Sequence, residues 1–464
     1  MKSPISLALA LVFLMGLLTP YEAGAQQTNA DGVFYIIQSG DTLSTIASRF
    51  GLTVDQIVAA NDLINPDQIS AGTQIKLPGV DWVRGVLDTR LVNFGETMRT
   101  LSRRYEVTFP TFSRLNGAVS PGQLFVGYPA MLPTETGEFL AGDRAVLATE
   151  ETSLELTAAA GMNVWMVAGQ NRVAGTARML AGDVLILPGT TGTGPGALPS
   201  PISRLSLEPL PLVQGKTTVI RASAAGEPLT LSGALVDRPL TFYTQDIGEL
   251  VALQGVHAML PTGLYPFAIE GTLADGSGFS YSQLIAVQSG GYESESLTVD
   301  VDYLDDPQSQ SENEFVAEVI APHSLIKLWD GFFVLPTPYG DTINSYFGTR
   351  RSYNDSPFDY FHTGVDWGGG LGTPVLAPAH GVVVFAGELV VRGNATIIDH
   401  GWGVYTGYWH QEEILVQVGD EVVPGQTIGM VGTTGRSTGA HLHWEVWVSG
   451  VQVEPLDWLF RTYP

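Results

Sequence analysis

Cysteine is absent from this chain of 464 residues. Disulfides are therefore excluded as a source of stability, and thiolates as metal ligands or nucleophiles. Lysine is scarce as well, with four residues, and the formal net charge is −25. Such a surface argues against nucleic acid and anionic membrane faces as partners. It argues equally against electrostatic docking on anionic polymers, so a polymer would have to be held by specific contacts. Beyond the N-terminus there is no run of about 20 apolar residues, the length a spanning helix needs, and no integral membrane segment is expected there.

The N-terminus differs. Lys2 precedes an apolar run from Ile5 to Leu18, broken only by Ser6 and Gly16, and Ala23-Gly24-Ala25 forms an A-x-A site. Residues 1–25 are expected to be a cleaved secretory signal peptide, which places the mature chain outside the cytoplasm, extracellular or periplasmic. About 440 residues remain, enough for three or more domains.

The first half repeats itself at an offset of 55 residues. Asn61, Asn116 and Asn171 fall in register, as do Leu77-Pro78, Leu132-Pro133 and Leu187-Pro188. Thr42, Thr97 and Thr152 each follow an acid, Asp41, Glu96 and Glu151. Several coincidences at one offset imply duplicated units. In the first copy, Phe34 to Gln38 reads as a strand, and Asp41 or Thr42 as the cap of a helix with apolar face Leu43, Ile46, Ala47 and Phe50. Gly51 ends that helix, Thr53 and Gln56 form a capping-box signature for a second one through Ala59, and Gln74 to Leu77 returns as a strand. The predicted unit is βααβ.

The stretch FYIIQSGDTLSTIASRFGLTVDQIVAANDL, continued by INPDQISAGTQIKLPG, resembles a LysM module. The resemblance implies binding of N-acetylglucosamine-containing glycan between two loops, here Gly40, Asp41, Thr42 and Leu43, and Ile64, Asn65 and Pro66. It assigns residues 33–79 to a LysM module, with degenerate copies at 82–134 and 138–189. In those copies SGDTL becomes FGETM (94–98) and TEETS (149–153). They are expected to keep the fold, while their sugar contacts are not assured.

Residues 190–202 are rich in Gly, Thr and Pro and read as a linker. Residues 203–290 alternate in short β-type runs, at Thr217–Ala222, Leu229–Val236, Leu240–Thr244, Tyr265–Thr272 and Tyr281–Val287, and predict an immunoglobulin-like β-sandwich. Gly263-Leu264-Tyr265 has the look of a tyrosine corner. This domain reads as a spacer or packing partner. Residues 291–335 form a connecting segment whose acidic run, Asp300 to Glu318, is expected to be partly loop.

Six of the eight histidines lie after residue 360, in a segment that otherwise reads as strands and glycine turns. Three motifs hold four of them: HTGVD (His362 to Asp366), YWH (ending at His410) and HLH (His441 to His443). Imidazole and carboxylate together suit zinc. On a strand, residues i and i+2 share a face about 6.7 Å apart, so His441 and His443 look into one cleft, one able to bind metal while the other faces substrate. His362 and Asp366 would be about 13 Å apart on a straight strand, too far to share one ion, and the glycines around them argue against a helix. A bend at Gly364 is predicted to converge them. Three protein ligands with a fourth position open describe a catalytic zinc site. Glu445 shares the face of His441 and His443 and can orient a ligand. Tyr408 and Arg350 are weaker candidates for charge stabilisation, and His380 and His400 read as structural.

The order HxxxD, YxH, HxH, with flanks such as GTPVLAPAHGVVVFAG and GTTGRSTGAHLHWEV, resembles the lysostaphin-like, LytM-like zinc metallopeptidases, over roughly residues 340 to 460. The resemblance implies His362, Asp366 and His443 as ligands of one Zn2+ and His410 and His441 as catalytic histidines, in a peptidase domain spanning 336–464. The fold class expected is multi-domain and mostly β: LysM-type βααβ repeats, an immunoglobulin-like sandwich and a C-terminal antiparallel-β zinc metallopeptidase domain. The function implied is a secreted endopeptidase acting on peptidoglycan stem or cross-bridge peptides. The rival reading is a non-catalytic, wall-binding regulator or scaffold that keeps a peptidase-like domain.

Overall fold

A computed structural model describes residues 32–65, 69–118, 120, 123–134, 142–147, 151–171, 173–189, 196–199, 202–224, 230–246, 249–272, 278–298 and 307–464. The expected signal peptide, Pro66 and much of the expected linker lie outside these residues. Among the described residues, no helix is long and apolar enough to cross a membrane. The chain divides into two units, residues 1–89 with 131–137, and residues 90–130 with 138–464.

The first unit contains the first repeat, and it is βααβ. The strand Val33–Ile36 pairs antiparallel with Gln74–Leu77 and parallel with Val86–Leu91. Thr42, not Asp41, caps the helix Leu43–Phe50, its hydroxyl accepting from the Thr45 amide. Asp41 instead accepts from the Gln38 amide at 2.8 Å and the Tyr35 hydroxyl at 2.6 Å, which closes the turn ahead of the helix. Thr53 and Gln56 form a capping box at the helix Val54–Ala60. The helix face Leu43, Ile46, Ala47 and Phe50 is buried with Tyr35 and Ile57, each large side chain contributing about 1.5–3 kcal/mol. The repeated asparagine has a structural cause. Asn61 donates to the Ile57 and Lys76 carbonyls and accepts from the Lys76 amide, tying the second helix to the closing strand. Asn171 makes the matching bonds to Val167 and Ile186 in the third copy.

In the second unit, residues 202–288 form two facing sheets. One contains Thr230–Leu235, Gly263–Thr272 and Gly278–Gln288; the other contains Ile202–Glu208, Thr217–Ala224 and Glu249–Gly255. The run expected as one strand at Leu240–Thr244 is two, Arg238–Thr241 and Tyr243–Asp246, which join different sheets. The Tyr265 hydroxyl donates to the Pro261 carbonyl at 2.8 Å, the bond of a tyrosine corner.

The C-terminal domain is built on an antiparallel sheet ordered Ile343–Ser345, Val365–Trp367, Leu442–Val448, Val404–Ile414, Gly393–Gly401, Gly381–Leu389 and Glu421–Val422. Its core is continuous with the sandwich: Tyr243, Val251, Leu253 and Ala258 pack with Trp329, Trp402, Val448 and Trp458. Tyr243 stacks on Trp402 at 4.7 Å, and Lys216 pairs with Asp457 at 3.0 Å. The sandwich is thus a packing partner of the C-terminal domain and shares its core. The connecting segment carries more structure than its composition implied. Ser294–Leu297 pairs in parallel with Arg350–Tyr353, and Pro307–Val319 is an α-helix. Val316 and Ile320 pack on Trp409 and Trp447.

His400 lies wholly inside this domain. Its Nδ1–H donates to the His380 carbonyl, and its Nε2 accepts from the Thr406 hydroxyl. Burial pushes its pKa from 6.5 down to about 4. Between those values the unfolded chain binds a proton that the folded chain refuses, so His400 makes stability fall as pH falls. Glu454 has the opposite sign: burial raises its carboxyl to about 7, so the folded chain holds that proton and the Glu454 contribution is lost as pH rises toward 7. His400→Gln is expected to remove up to about 3 kcal/mol of the acid-side loss. Urea melts at pH 4 to 7 read this directly, and an unaltered slope would mean that His400 is not the group responsible.

Candidate metal centre and active site

Sheet register brings the site together. Asp366 stands directly opposite His443 across one strand pair, and Trp409 opposite His443 across the other. His362 lies outside the strands, between Tyr360–Phe361 and Val365–Trp367. The turn between His362 and Asp366 requires Gly364, where a Cβ would collide with the Trp444 carbonyl and the side chains of His443 and Glu445. Three potential ligand atoms converge there. His362 Nε2 lies 3.1 Å from Asp366 Oδ1 and 3.1 Å from His443 Nδ1, and the last two are 2.7 Å apart.

That triangle fits a small divalent cation. Bonds of about 2.0–2.1 Å in a tetrahedral site place ligand atoms roughly 3.3 Å apart. The surrounding groups fix which nitrogen faces the triangle. His362 Nδ1–H donates to the Tyr346 carbonyl, with the Ser345 hydroxyl also at 3.1 Å, so Nε2 carries the free lone pair. His443 Nε2 donates to Glu445 Oε1 at 3.0 Å, and Glu445 in turn accepts from the Thr363 hydroxyl at 2.7 Å.

The charges follow from this geometry. Burial works to raise the Asp366 carboxyl, but its close contacts with the His362 and His443 rings overcome it and hold the group well below the usual carboxylate range. Burial works to lower His443, yet Asp366 and Glu445 lift it to about 9. The half-buried Asp366 and the buried Glu445 thus hold a positive charge at His443, and a bound cation would displace that proton.

Two further histidines border the triangle. His441 Nε2 is 3.7 Å from Asp366 Oδ1, and its Nδ1–H donates to the Gly439 carbonyl at 2.8 Å. The His410 and His441 rings are 4.9 Å apart, centroid to centroid. His410 Nδ1–H donates to the Thr434 carbonyl at 2.9 Å, leaving Nε2 as acceptor, and burial pushes the ring down to about 4. It is therefore a neutral base with a fixed tautomer.

All five expected residues and Glu445 fall in this one cleft. Tyr408 and Arg350 do not. The Tyr408 ring is in the core with its hydroxyl on Thr406, and Arg350 runs into the sandwich, bonding the Ala258 carbonyl, the Met259 sulfur and Gln214. Sequence reasoning missed Ser345, Tyr346 and Thr434, which act through backbone carbonyls or hydroxyls and leave no motif, and gave no role to Thr363 inside HTGVD.

Residues 360–455 match peptidase family M23, and residues 35–78 and 91–128 match the LysM domain. The chain carries an M23 peptidase domain. Over 112 residues it is 43% identical to the DD-carboxypeptidase/endopeptidase Mpg of Neisseria meningitidis, covering 22% of this chain and 26% of that protein. Over 114 residues it is 40% identical to the peptidoglycan DD-endopeptidase ShyA of Vibrio cholerae, covering 25% and 26%. The chain thus spans about a quarter of the length of these relatives. A putative peptidase M23 structure from Pseudomonas aeruginosa aligns at TM-score 0.41 and 23% identity, over 55% of this chain and 96% of that one. The ligand triangle and its flanking histidines lie inside the M23 domain.

The glycan-binding expectation meets a mixed surface in the first LysM domain. A Cβ on Gly40 would meet nothing within 4 Å, and Ile64 and Asn65 are exposed. Leu43, however, is 4% exposed and belongs to the module's core, and the Thr42 hydroxyl, amide and carbonyl are all engaged in capping the first helix. In the second copy the matching loop is covered. The Gly95 amide donates to the Tyr281 hydroxyl and Gln283 Oε1 of the sandwich, and Gln283 Nε2 donates to the Glu96 carbonyl.

Proposed function

We propose that this protein is a zinc-dependent peptidoglycan endopeptidase, held to cell-wall glycan by its first LysM domain and acting outside the cytoplasm. The observation that carries the proposal is the pairing of the His362, Asp366 and His443 triangle with two histidines of fixed tautomer beside it. The names of the matching relatives, a DD-carboxypeptidase/endopeptidase and a peptidoglycan DD-endopeptidase, support peptide cross-links as the substrate class.

His362, Asp366 and His443 would hold the ion. When bound, zinc supplies a Lewis acid that polarises a carbonyl and lowers the pKa of water toward about 7. His410, neutral and anchored on Thr434, accepts a proton at Nε2. His441, anchored on Gly439 through Nδ1–H, presents Nε2 to the same space and, in its protonated form, would donate from Nε2 to the charge that develops on the scissile carbonyl oxygen. Glu445 keeps His443 aligned through Nε2. With the second copy's loop covered by the sandwich, glycan tethering falls first to Gly40, Asp41, Thr42, Ile64 and Asn65 of the first. Tethering raises the local concentration of peptide near the cleft.

The purified protein is expected to carry about one zinc per chain and to release peptides from purified sacculi. Removal of the metal by chelation should stop release, and added zinc should restore it. Full activity after verified metal removal would refute the proposal; zinc retained without any hydrolysis would favour a wall-binding, non-catalytic role.

A further inference from the structure

His410 occupies an unusual backbone conformation, with φ of +62°. A side chain with a Cβ is strained there, and the conformation persists only where neighbours enforce it. One enforcing contact is the His410 amide, which donates to the Arg392 carbonyl at 2.8 Å. The turn that carries this carbonyl, residues 391–393, is itself held from outside the M23 match. Glu312, on the helix Pro307–Val319, accepts from the Val391 amide at 2.8 Å, from the Arg392 amide at 3.0 Å and from Arg392 Nη1 at 2.9 Å. Its side chain is 6% exposed, so these three bonds are what satisfies a buried carboxylate.

The same turn reaches the second histidine. The Val391 carbonyl accepts from the Arg436 amide at 2.8 Å, at the head of the loop that leads to His441. Arg436 Nη1 returns to the helix at Ser309 Oγ, also at 2.8 Å. The Arg392 guanidinium lies 5.2 Å over the Trp409 ring, one residue before His410.

We propose that Glu312 is a positioning residue: through the 391–393 turn it sets the backbone of His410 and the root of the His441 loop. The helix Pro307–Val319 is therefore part of the working M23 domain. The inference rests on the peptidase reading above. Glu312 touches neither the ligand triangle nor the reacting groups, so its loss should leave the metal in place while misplacing the base. Misplacement on the ångström scale costs rate more than binding.

The test uses the full chain, a cross-linked muropeptide dimer as substrate, and the variants Glu312→Gln and Val316→Ala. Glutamine keeps the size but cannot accept at both oxygens; Val316→Ala loosens the same helix without touching the turn. Glu312→Gln is expected to lower kcat about tenfold, with KM and zinc content unchanged. Val316→Ala, at a matched fall in Tm, should keep kcat. Amide exchange in peptides covering Val391 to Gly393 and His410 should quicken only in Glu312→Gln. Unchanged kcat and exchange in Glu312→Gln, or equal losses in both variants, would overturn the inference. A wild-type protein that does not cleave the dimer would sink the peptidase reading, while the exchange measurement would still decide the role of Glu312. Should Glu312→Gln not fold, Arg392→Lys, which removes the planar donor from both Glu312 and Trp409, carries the same expectations.

Discussion

His443→Ala should lose bound zinc and at least about a thousandfold in sacculus hydrolysis, the rate that several kcal/mol of lost Lewis-acid stabilisation represents. The substitution removes one corner of a triangle whose sides are 2.7 to 3.1 Å. Two ligands cannot replace three, because His362 and Asp366 are already fixed by the Gly364 turn and by the Tyr346 carbonyl. The change also strands charge. Asp366 and Glu445 would both lose the imidazolium they share, in a site where burial works to raise each carboxyl. Both should then titrate upward. Some loss of stability is expected in the metal-free state, so the variant is to be compared with metal-stripped wild type. Zinc per chain by mass spectrometry, dye release from sacculi and circular dichroism form the measurement. Wild-type zinc content and activity in a folded variant would remove His443 from the ligand set.

The clustering of these histidines was legible in the sequence because part of it obeys a periodicity. His441 and His443 share a strand face, and Leu442–Val448 forms that strand. His362 and Asp366 were legible for a different reason: their spacing is wrong for a straight strand, and Gly364 supplies the only residue that fits under the Trp444 carbonyl. The repeats were legible partly because asparagine recurs where the second helix is tied to the closing strand, as at Asn61 and Asn171. What holds the site in place was not legible. Thr434, Tyr346 and Gly439 act through backbone carbonyls, which any residue possesses. The helix Pro307–Val319 escaped notice because its inward face is Ser309, Glu312, Val316 and Ile320, and a carboxylate in mid-face breaks the apolar period that marks a helix. The same carboxylate is what gives the helix its purpose. Arg350 was misread for the converse reason. It is near the site in sequence, but the sandwich shares a core with the M23 domain and draws the guanidinium toward the Ala258 carbonyl.

That shared core bears on how the site is addressed. A flexible linker would let the catalytic domain sample substrate independently of the rest of the second unit. Here Tyr243, Val251 and Leu253 of the sandwich are buried with Trp402 and Val448, so the sandwich and M23 domain are one body. The second LysM copy is bonded to that body through Gly95, Glu96 and Val126. The loop that corresponds to Gly40–Leu43 of the first copy is spent here on protein, and duplication has supplied a bracket.

His410→Ala separates the base from the ligands. His410 contributes no atom to the triangle, and its ring is 6.4 Å from that of His443. Zinc content should therefore match wild type, and KM should change little. The rate is expected to fall about 10²- to 10⁴-fold, the usual contribution of a positioned general base. His441→Ala should behave alike in metal content, with its loss in kcat reflecting charge stabilisation rather than proton transfer. The two losses should not add. The rings lie 4.9 Å apart and serve one reaction centre, so removing the second after the first should cost less than it does alone. Steady-state kinetics on a defined cross-linked dimer, with zinc measured on the same samples, distinguishes the cases. A His410→Ala protein that loses its metal would make His410 a ligand, and one that keeps wild-type kcat would leave His441 as the only candidate base in the cleft.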